Sequence, residues 1–363
     1  MINNTKFWKD KKVLVTGHSG FKGGWLTMIL QHLGAQVCGI SSENLNNNKK
    51  FFSSMKIDAM CNSYDLDIRD TENFQKIAYE FQPDVLFHLA AQPLVRESYL
   101  IPKDTYDINV MGTLNVLEFV RSCPSVKASV FITTDKCYEN KEWPWGYREN
   151  DPMGGHDPYS SSKGCAELLI RSYQKSYFNS ELSTQGVSSA RAGNVIGGGD
   201  FSPDRLIPDI VEAIAQGKKV KIRNPLATRP WQHVFEPLNG YMMVAENLFN
   251  CGPAANSSWN FGPHLTDIRN VDDIAQTFSQ KWGLENIIEY DQTSQPHEAK
   301  SLSLDISKAY SELKWSPQWS LEISLAHIAD WYKTYLNNGD IAQLSIQQID
   351  SYFLTGPSND PSG

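Results

Sequence analysis

Tyr159 and Lys163 stand four residues apart, a spacing that on a helix puts a phenol and an ammonium on one face. A nearby ammonium and a cofactor charge favour phenolate, bringing a pKa of ~10 down toward the working range. A phenolate so placed can take the proton from a sugar hydroxyl as a hydride leaves the same carbon. A second cluster, Thr134-Asp135-Lys136, offers a hydroxyl to hold that alcohol in line, a carboxylic acid and another ammonium. Both clusters belong to one stretch, Ser129 to Lys163, which begins as a buried-looking strand and ends in a helical pattern. A lone Tyr-x-x-x-Lys also fits any exposed amphipathic helix, so the surrounding elements must decide.

Those elements alternate. Lys11–Gly17 reads as a buried strand, followed by His18-Ser-Gly-Phe-Lys-Gly-Gly24 and a helical pattern reaching Leu33. Strand, glycine-rich turn and helix turn backbone N–H groups toward a phosphate, and Gly17, Gly20, Phe21 and Gly23 are the candidate cofactor contacts there. The second strand, Gln36–Ser41, ends roughly 20 residues past the glycines, where an acid gripping the adenosine ribose is expected. Ser41, Ser42 and Glu43 stand there with no arginine to meet a 2′-phosphate, which points to NAD over NADP. Asp67 and Ile68 follow a third strand as adenine contacts, while Asp70 caps the helix Thr71–Phe81. The fourth strand, Asp84–Ala91, ends in Ala90 and Ala91, small enough to admit a cofactor; His88 within it reads as a hydrogen-bonded core histidine. Asn109, Gly112 and Asn115 share one face of a helix from Thr105 to Cys123. The fifth strand, Ser129–Thr133, carries Thr133 to the cofactor side, and Gly186–Arg191 is the sixth. The alternation predicts an α/β, doubly wound parallel sheet with ligands at the carboxyl ends of its strands, where every polar cluster falls.

After Gly199 the rhythm changes. Helices over Leu206–Gln216, Leu238–Phe249, Val271–Trp282 and Leu321–Leu336, with short strands at Val220–Arg223 and Ile287–Tyr290, read as a smaller mixed α/β lobe. The expected division is a dinucleotide-binding domain over 1–190, an interleaved substrate-binding lobe over 191–355, and a flexible tail over 356–363. Arg191 and Arg229 are candidate diphosphate partners, since guanidinium suits bidentate phosphate recognition. Asn194 and Asn260 could donate to the same group, and Trp231 or Trp143 could stack on a base or line a sugar pocket, against core packing as the competing role.

The bulk properties narrow the class. A net charge of −8 argues against a nucleic-acid or acidic-membrane surface without excluding a phosphorylated ligand. No apolar run approaches the ~20 residues of a membrane span. Six cysteines without a CxxC pair, and no signal peptide, lead to the expectation of a reduced, cytoplasmic protein. The eight histidines show no metal-ligand spacing, so no metal is expected.

Gly17-x-x-Gly20-x-x-Gly23, His88-Leu-Ala-Ala91, Asn109-Val-Met-Gly-Thr113, Thr134 and Tyr159-x-x-x-Lys163 resemble, in that order, the extended short-chain dehydrogenase/reductase superfamily with its Rossmann sheet. Thr16–Trp25, Asp135–Trp143, Trp145–Asn150, Arg191–Asp200, Arg229–His233 and Trp259–Pro263 resemble its nucleotide-sugar 4,6-dehydratases, in their CDP-glucose branch. The resemblance implies a lyase that uses NAD catalytically: oxidation at C4 with Tyr159 taking the hydroxyl proton, loss of water across C5–C6 with Asp135 as the acid, and hydride return to C6. It also implies a homodimer or homotetramer paired through the helices carrying Asn109 and Tyr159, and a place among the deoxy and dideoxy sugars of bacterial surface polysaccharide, including lipopolysaccharide O-antigen. The dTDP-glucose branch has a carboxylate pair after the threonine, whereas this chain has Asp135-Lys136. Lys136 is therefore either a neutral C5 base, a cation stabilising the enolate, or a partner of Asp135, with Glu139, Glu142, Tyr159 or water as other bases. A 4-epimerase of the same fold needs no acid at C6, and a non-catalytic NAD-binding regulator needs neither Tyr159 nor Lys163.

Overall fold

The computed structural model describes residues 5–42, 49–222, 224–284, 287–290 and 302–354. Glu43, Arg223 at the end of an expected strand, and the 356–363 tail lie outside the described residues. Seven strands form the central sheet: β1 Lys12–Thr16, β2 Gln36–Ser41, β3 Asn62–Asp65, β4 Val85–His88, β5 Ala128–Ile132, β6 Gly186–Ala192 and β7 Ser258–Phe261. Their order is β7-β6-β5-β4-β1-β2-β3, and every pairing is parallel. Strands β4, β5 and β6 are buried along their whole length, as expected where helices cover both faces. Strand β3, Asn-Ser-Tyr-Asp, is exposed throughout and closes the sheet with a short polar edge. Alternate residues feed two cores: Val13 and Val15 face one and Leu14 the other.

Strand β7 is the main departure from the sequence reading, which placed Trp259–Pro263 in the second lobe. It pairs with β6 in the register Trp259 to Ala190 and Asn260 to Arg191. The helix Phe235–Cys251 makes the crossover and packs its Leu238, Tyr241, Met242 and Leu248 into the same core as Val13 and Val130. The helix expected over 105–123 is also interrupted. It runs as Pro102–Tyr106, a π-helical turn Asp107–Met111 and a regular helix Gly112–Ser122. In that turn the Asn109 side chain is bonded to the Gln92 backbone, the kind of tertiary demand that inserts an extra residue into a helical turn.

Among the described residues, three small strand pairs lie outside the central sheet. Val195–Ile196 pairs with Gln232–His233, Thr228–Pro230 with Ile268–Asn270, and Val220–Ile222 with Ile288–Tyr290. Two C-terminal helices, Leu321–Leu336 and Ile341–Phe353, then brace the first layer; the second of them is absent from the sequence reading. Tyr332 donates to Asp200 O at 2.5 Å, and a Cβ on Gly198 would come within 2.2 Å of the Trp331 ring. No helix among the described residues is long and apolar enough to cross a membrane.

Glu236 ties these helices to the sheet. Its buried carboxylate accepts from the N–H groups of Trp319 at 2.8 Å and Gln318 at 3.0 Å and from the Tyr352 hydroxyl at 2.5 Å. Burial pushes the carboxyl up to about 7, overriding the hydrogen bonds from Tyr352 and the two backbone groups. Since the folded pKa lies above the unfolded one, this group's contribution is fully present below the unfolded value and is lost as pH rises through about 7. Glu236→Gln removes the titration, so its melting temperature should fall less than the wild type's between about pH 5 and about pH 8. Parallel melting curves across that range would rule out Glu236 as the source.

Candidate active site

A cleft of about 1840 Å³ runs along the carboxyl ends of β1, β2, β4, β5 and β6 and beneath residues of the second lobe from Asn194 to Trp231. It opens where the strand order reverses between β1 and β4, the crevice that doubly wound sheets offer to ligands.

One end is the glycine turn. Gly17 holds φ +77°, and a Cβ there would lie 2.6 Å from Ala90 N; a Cβ on Gly23 would lie 2.0 Å from Gly17 O. Gly20 begins the helix Phe21–His32 with no side-chain cap, leaving the helix N-terminus to whatever enters the cleft. His18 anchors the turn: its ring bonds Ser41 Oγ at 2.9 Å and Ser63 Oγ at 2.7 Å, and burial lowers its pKa to about 4, keeping it neutral. Ser41 Oγ also accepts from Ser19 N at 3.2 Å, so the hydroxyl expected at the ribose also secures the turn. Phe21, Asp67, Ile68, Ala90 and Ala91 line the same end, with Asp67 held by Arg69 at 2.7 Å. Asp70 caps its helix by accepting from Asn73 N, and His88 bonds Thr16 Oγ1 at 2.8 Å and Thr113 Oγ1 at 3.2 Å, both as expected.

The middle carries the reactive groups. Asp157 caps the helix Pro158–Ser176 by accepting from Ser160 N at 2.9 Å, which places Tyr159 and Lys163 in its first two turns. Thr134 in turn caps the short 3-10 turn Asp135–Cys137 and donates to Asp135 Oδ1 at 2.9 Å. Thr134, Asp135, Lys136, Tyr159 and Lys163 all line the cleft, as does Thr133. The Asp135 carboxyl is buried, its Oδ2 has no hydrogen-bond partner, and burial raises its pKa against the opposing charges of Lys136, Lys22 and Arg229. A Cβ on Gly193 would stand 2.7 Å from that Oδ2, so glycine is what leaves the carboxyl room.

Before any cofactor charge is added, burial pushes the Tyr159 phenol up to about 12, against its hydrogen bond with Thr134; the cation opposing that rise within the protein is Arg205. Lys163 itself is lowered to about 8 by burial, with Glu167 pulling it back up, and its ammonium donates to Ile132 O at 3.3 Å.

The other end belongs to the second lobe, where Asn194, Arg229 and Trp231 line the cleft and the Trp231 indole donates to Arg269 O at 3.0 Å. Three assignments are corrected. Arg191 is 2% exposed and spends its guanidinium on Glu167 at 2.6 Å, Tyr138 at 2.5 Å and Glu149 O at 3.1 Å, behind the sheet edge, where no diphosphate reaches it. Asn260 is fully buried in β7 and bonds Tyr138, Tyr147 O and Asp305 O. Asn109, 1% exposed, bonds Gln92 and, at 2.9 Å, Ser162 Oγ; it steadies the helix beside Lys163 and does not touch the cleft. Trp143 packs on Trp145 and Tyr147, outside the cleft lining.

Two cleft residues escaped the sequence reading. Lys22, inside the glycine turn, is lowered to about 8 by burial and by Arg205, and feels Asp135 and Lys163. Arg205 pairs with Asp200 at 2.8 Å and faces the Tyr159 phenol. Lys22 could have been found from its place between two essential glycines, whereas Arg205 depends on how the loop after Gly199 folds back.

A family model described as GDP-mannose 4,6 dehydratase matches residues 14–328. A CDP-glucose 4,6-dehydratase of Salmonella typhimurium is 46% identical over 349 residues, spanning 95% of this chain and 97% of that protein. A dTDP-glucose 4,6-dehydratase from Bacillus anthracis, solved in complex with NAD, superposes with a TM-score of 0.74 at 23% identity over 91% of this chain and 98% of that one. A UDP-glucose 4-epimerase from Thermotoga maritima, solved with UDP-glucose, superposes with a TM-score of 0.77 at 21% identity over 90% and 99%. The two solved structures speak for the fold, which dehydratase and epimerase share, so side chains must separate the two chemistries.

The glycine turn is directly testable. A methyl on Gly23 collides with the Gly17 carbonyl, backbone against backbone. Gly23→Ala should therefore weaken binding of a dinucleotide at least tenfold in a calorimetric titration with NAD, and unchanged affinity would remove the turn from the binding site.

Proposed function

The chain belongs to the GDP-mannose 4,6 dehydratase family, and from that membership we propose that it is an NAD-dependent hydro-lyase converting CDP-glucose to CDP-4-keto-6-deoxyglucose. The 46% identity to the Salmonella enzyme, along nearly the full length of both chains, supports the choice of sugar nucleotide. The observation that carries the reaction type is Asp135: a buried carboxyl with one oxygen unpartnered, in the same cleft as Thr134 and Tyr159.

The residues present fit a dinucleotide. The Gly17–Gly23 turn packs so closely that a Cβ at 17 or 23 would strike backbone, Asp67 and Ile68 line the adenine end, and Ala90, Ala91, Thr133 and Lys163 line the inner wall. NAD, when bound, supplies a hydride acceptor for C4 and the hydride donor for C6 of the same sugar. The protein's own groups handle the protons. Tyr159 takes the proton of the C4 hydroxyl, which Thr134 holds in line, and a buried phenol needs the positive charges of the loaded site, with Arg205, to become a base. The resulting C4 ketone acidifies the C5 hydrogen. Asp135, whose burial favours the protonated form, gives its proton to the departing C6 oxygen, and water leaves. Glu139 or Glu142, both lining the cleft, takes the C5 proton and returns it to C5 as hydride reaches C6, while Lys136 sets a cation beside the intervening enolate. Arg229, Asn194 and Trp231 receive the diphosphate and nucleoside.

An epimerase would have no use for an acid at C6, and Asp135 stands against that reading. All six cysteines are unpaired, which supports a reducing cytoplasm. A homodimer or homotetramer paired through the helices carrying Asn109 and Tyr159 fits the exposed Met111 and Leu168.

Purified protein incubated with CDP-, dTDP- and GDP-glucose should yield, from the CDP sugar, a product lighter by one water. An unchanged mass or a bare 4-epimer would reject the assignment. Asp135→Asn should still reduce bound NAD, seen as nicotinamide absorbance, while expelling water about 10²-fold more slowly. Dehydration at the wild-type rate would show that the acid lies elsewhere.

A further inference from the structure

Behind the reactive groups lies a buried ion pair that the proposed chemistry does not use. Glu167 sits one helical turn beyond Lys163, and both its oxygens are occupied. Oε1 accepts from Thr133 Oγ1 at 2.5 Å; Oε2 accepts from Ser189 Oγ at 2.7 Å and from the Arg191 guanidinium at 2.6 Å. Arg191 continues to the Tyr138 hydroxyl at 2.5 Å, and that hydroxyl donates to Asn260 Oδ1 at 2.8 Å. Thr133 is the residue before the Thr134–Cys137 turn, and Tyr138 is the residue after it. The pair thus grips the turn carrying Asp135 from both sides, and the same carboxylate lies one helical turn from Lys163.

We propose that Glu167 is a positioning residue for the reaction, holding the Thr134–Cys137 turn in place through Thr133 and Arg191 and keeping Lys163 in its ammonium form. This deepens the dehydratase reading and rests on it. The groups acting with Lys163 are few. On its own helix is Glu167, whereas Tyr159 answers to Arg205. Cys137, on the turn, is a thiol that burial pushes up and so keeps neutral; His88, on β4, is lowered to about 3 by burial and is likewise neutral. Lys22, on the glycine-turn helix, is a second cation. Glu167 is therefore the charge that opposes the burial of Lys163, whose pKa of about 8 lies close to the working range. A carboxylate bound only to brace the fold would have no hold on that titration.

The sign follows directly. Without the Glu167 charge the ammonium of Lys163 is less favoured, so its pKa drops and the alkaline limb of kcat/KM moves to lower pH. Glu167→Gln is expected to shift that limb downward by about one unit, while Glu167→Asp, which keeps the charge, leaves its position unchanged even where the rate falls. Glu167→Gln strands the Arg191 charge, so the double variant Glu167→Gln with Arg191→Met, which leaves no lone buried charge, is measured beside it and must show the same shift. A folded variant lacking the Glu167 charge but with the wild-type alkaline limb would overturn the proposal. The wild type is assayed alongside with CDP-glucose. An inactive wild type defeats the dehydratase reading itself, whereas an active wild type with an unshifted variant defeats only the role of Glu167.

Discussion

The reversal of strand order between β1 and β4 is the constraint on which the rest depends. Parallel strands with right-handed crossovers send the chain outward from β1 through β2 to β3, then back across to β4, β5, β6 and β7. At the reversal the two crossovers leave in opposite directions, and the carboxyl ends of β1 and β4 are left with no helix between them. The Gly17 backbone therefore meets Ala90 directly, close enough that any side chain at 17 would collide. The reactive groups follow from the same layout, because β5 and the helix after it run along one wall of the opening.

Within that opening, withdrawal from water pushes four of the central groups toward their neutral forms. The Tyr159 phenol and the Asp135 carboxyl rise, while Lys163 and Lys22 fall to about 8. The two lysines exchange protons readily near neutral pH, since their ionised and neutral forms lie close in energy. Glu167 goes the other way: Arg191 and two hydroxyls outweigh its burial and hold it below the usual carboxylate range. The cleft thus contains groups shifted toward titration, set against a fixed Glu167–Arg191 ion pair behind them.

Much of this was legible in the residues because local chemistry and the fold agree. The helix Thr71–Phe81 has the bounds the sequence predicts, with Asp70 capping its start as expected and Gln82, in the left-handed region, ending it. Tyr159, Lys163 and the Thr134–Lys136 cluster were found because their order and spacing survive folding unchanged. Arg191 and Asn260 misled because guanidinium and amide groups look the same in sequence whether they face a ligand or a buried partner. Only the pairing of β7 with β6 decides that, by placing Asn260 opposite Arg191 and both beneath Tyr138. The π-helical turn at Asp107–Met111 was equally hidden, since its cause lies in contact with the loop at Gln92.

Strand β7 also bears on how the protein is made. Residues 258–261 complete a sheet whose neighbouring strand ends at Ala192, so a ribosome must deliver well over half of the chain before the edge beside β6 is covered. Until then β6 presents an unpaired parallel edge, and Tyr138 lacks Asn260 as its partner. Parallel pairing across such a sequence separation is slow to form, and the open edge is exposed to wrong partners in the interval. Truncations before Phe261 should yield chains that aggregate rather than an independent dinucleotide-binding fragment, and the smallest foldable unit of this enzyme reaches through both lobes.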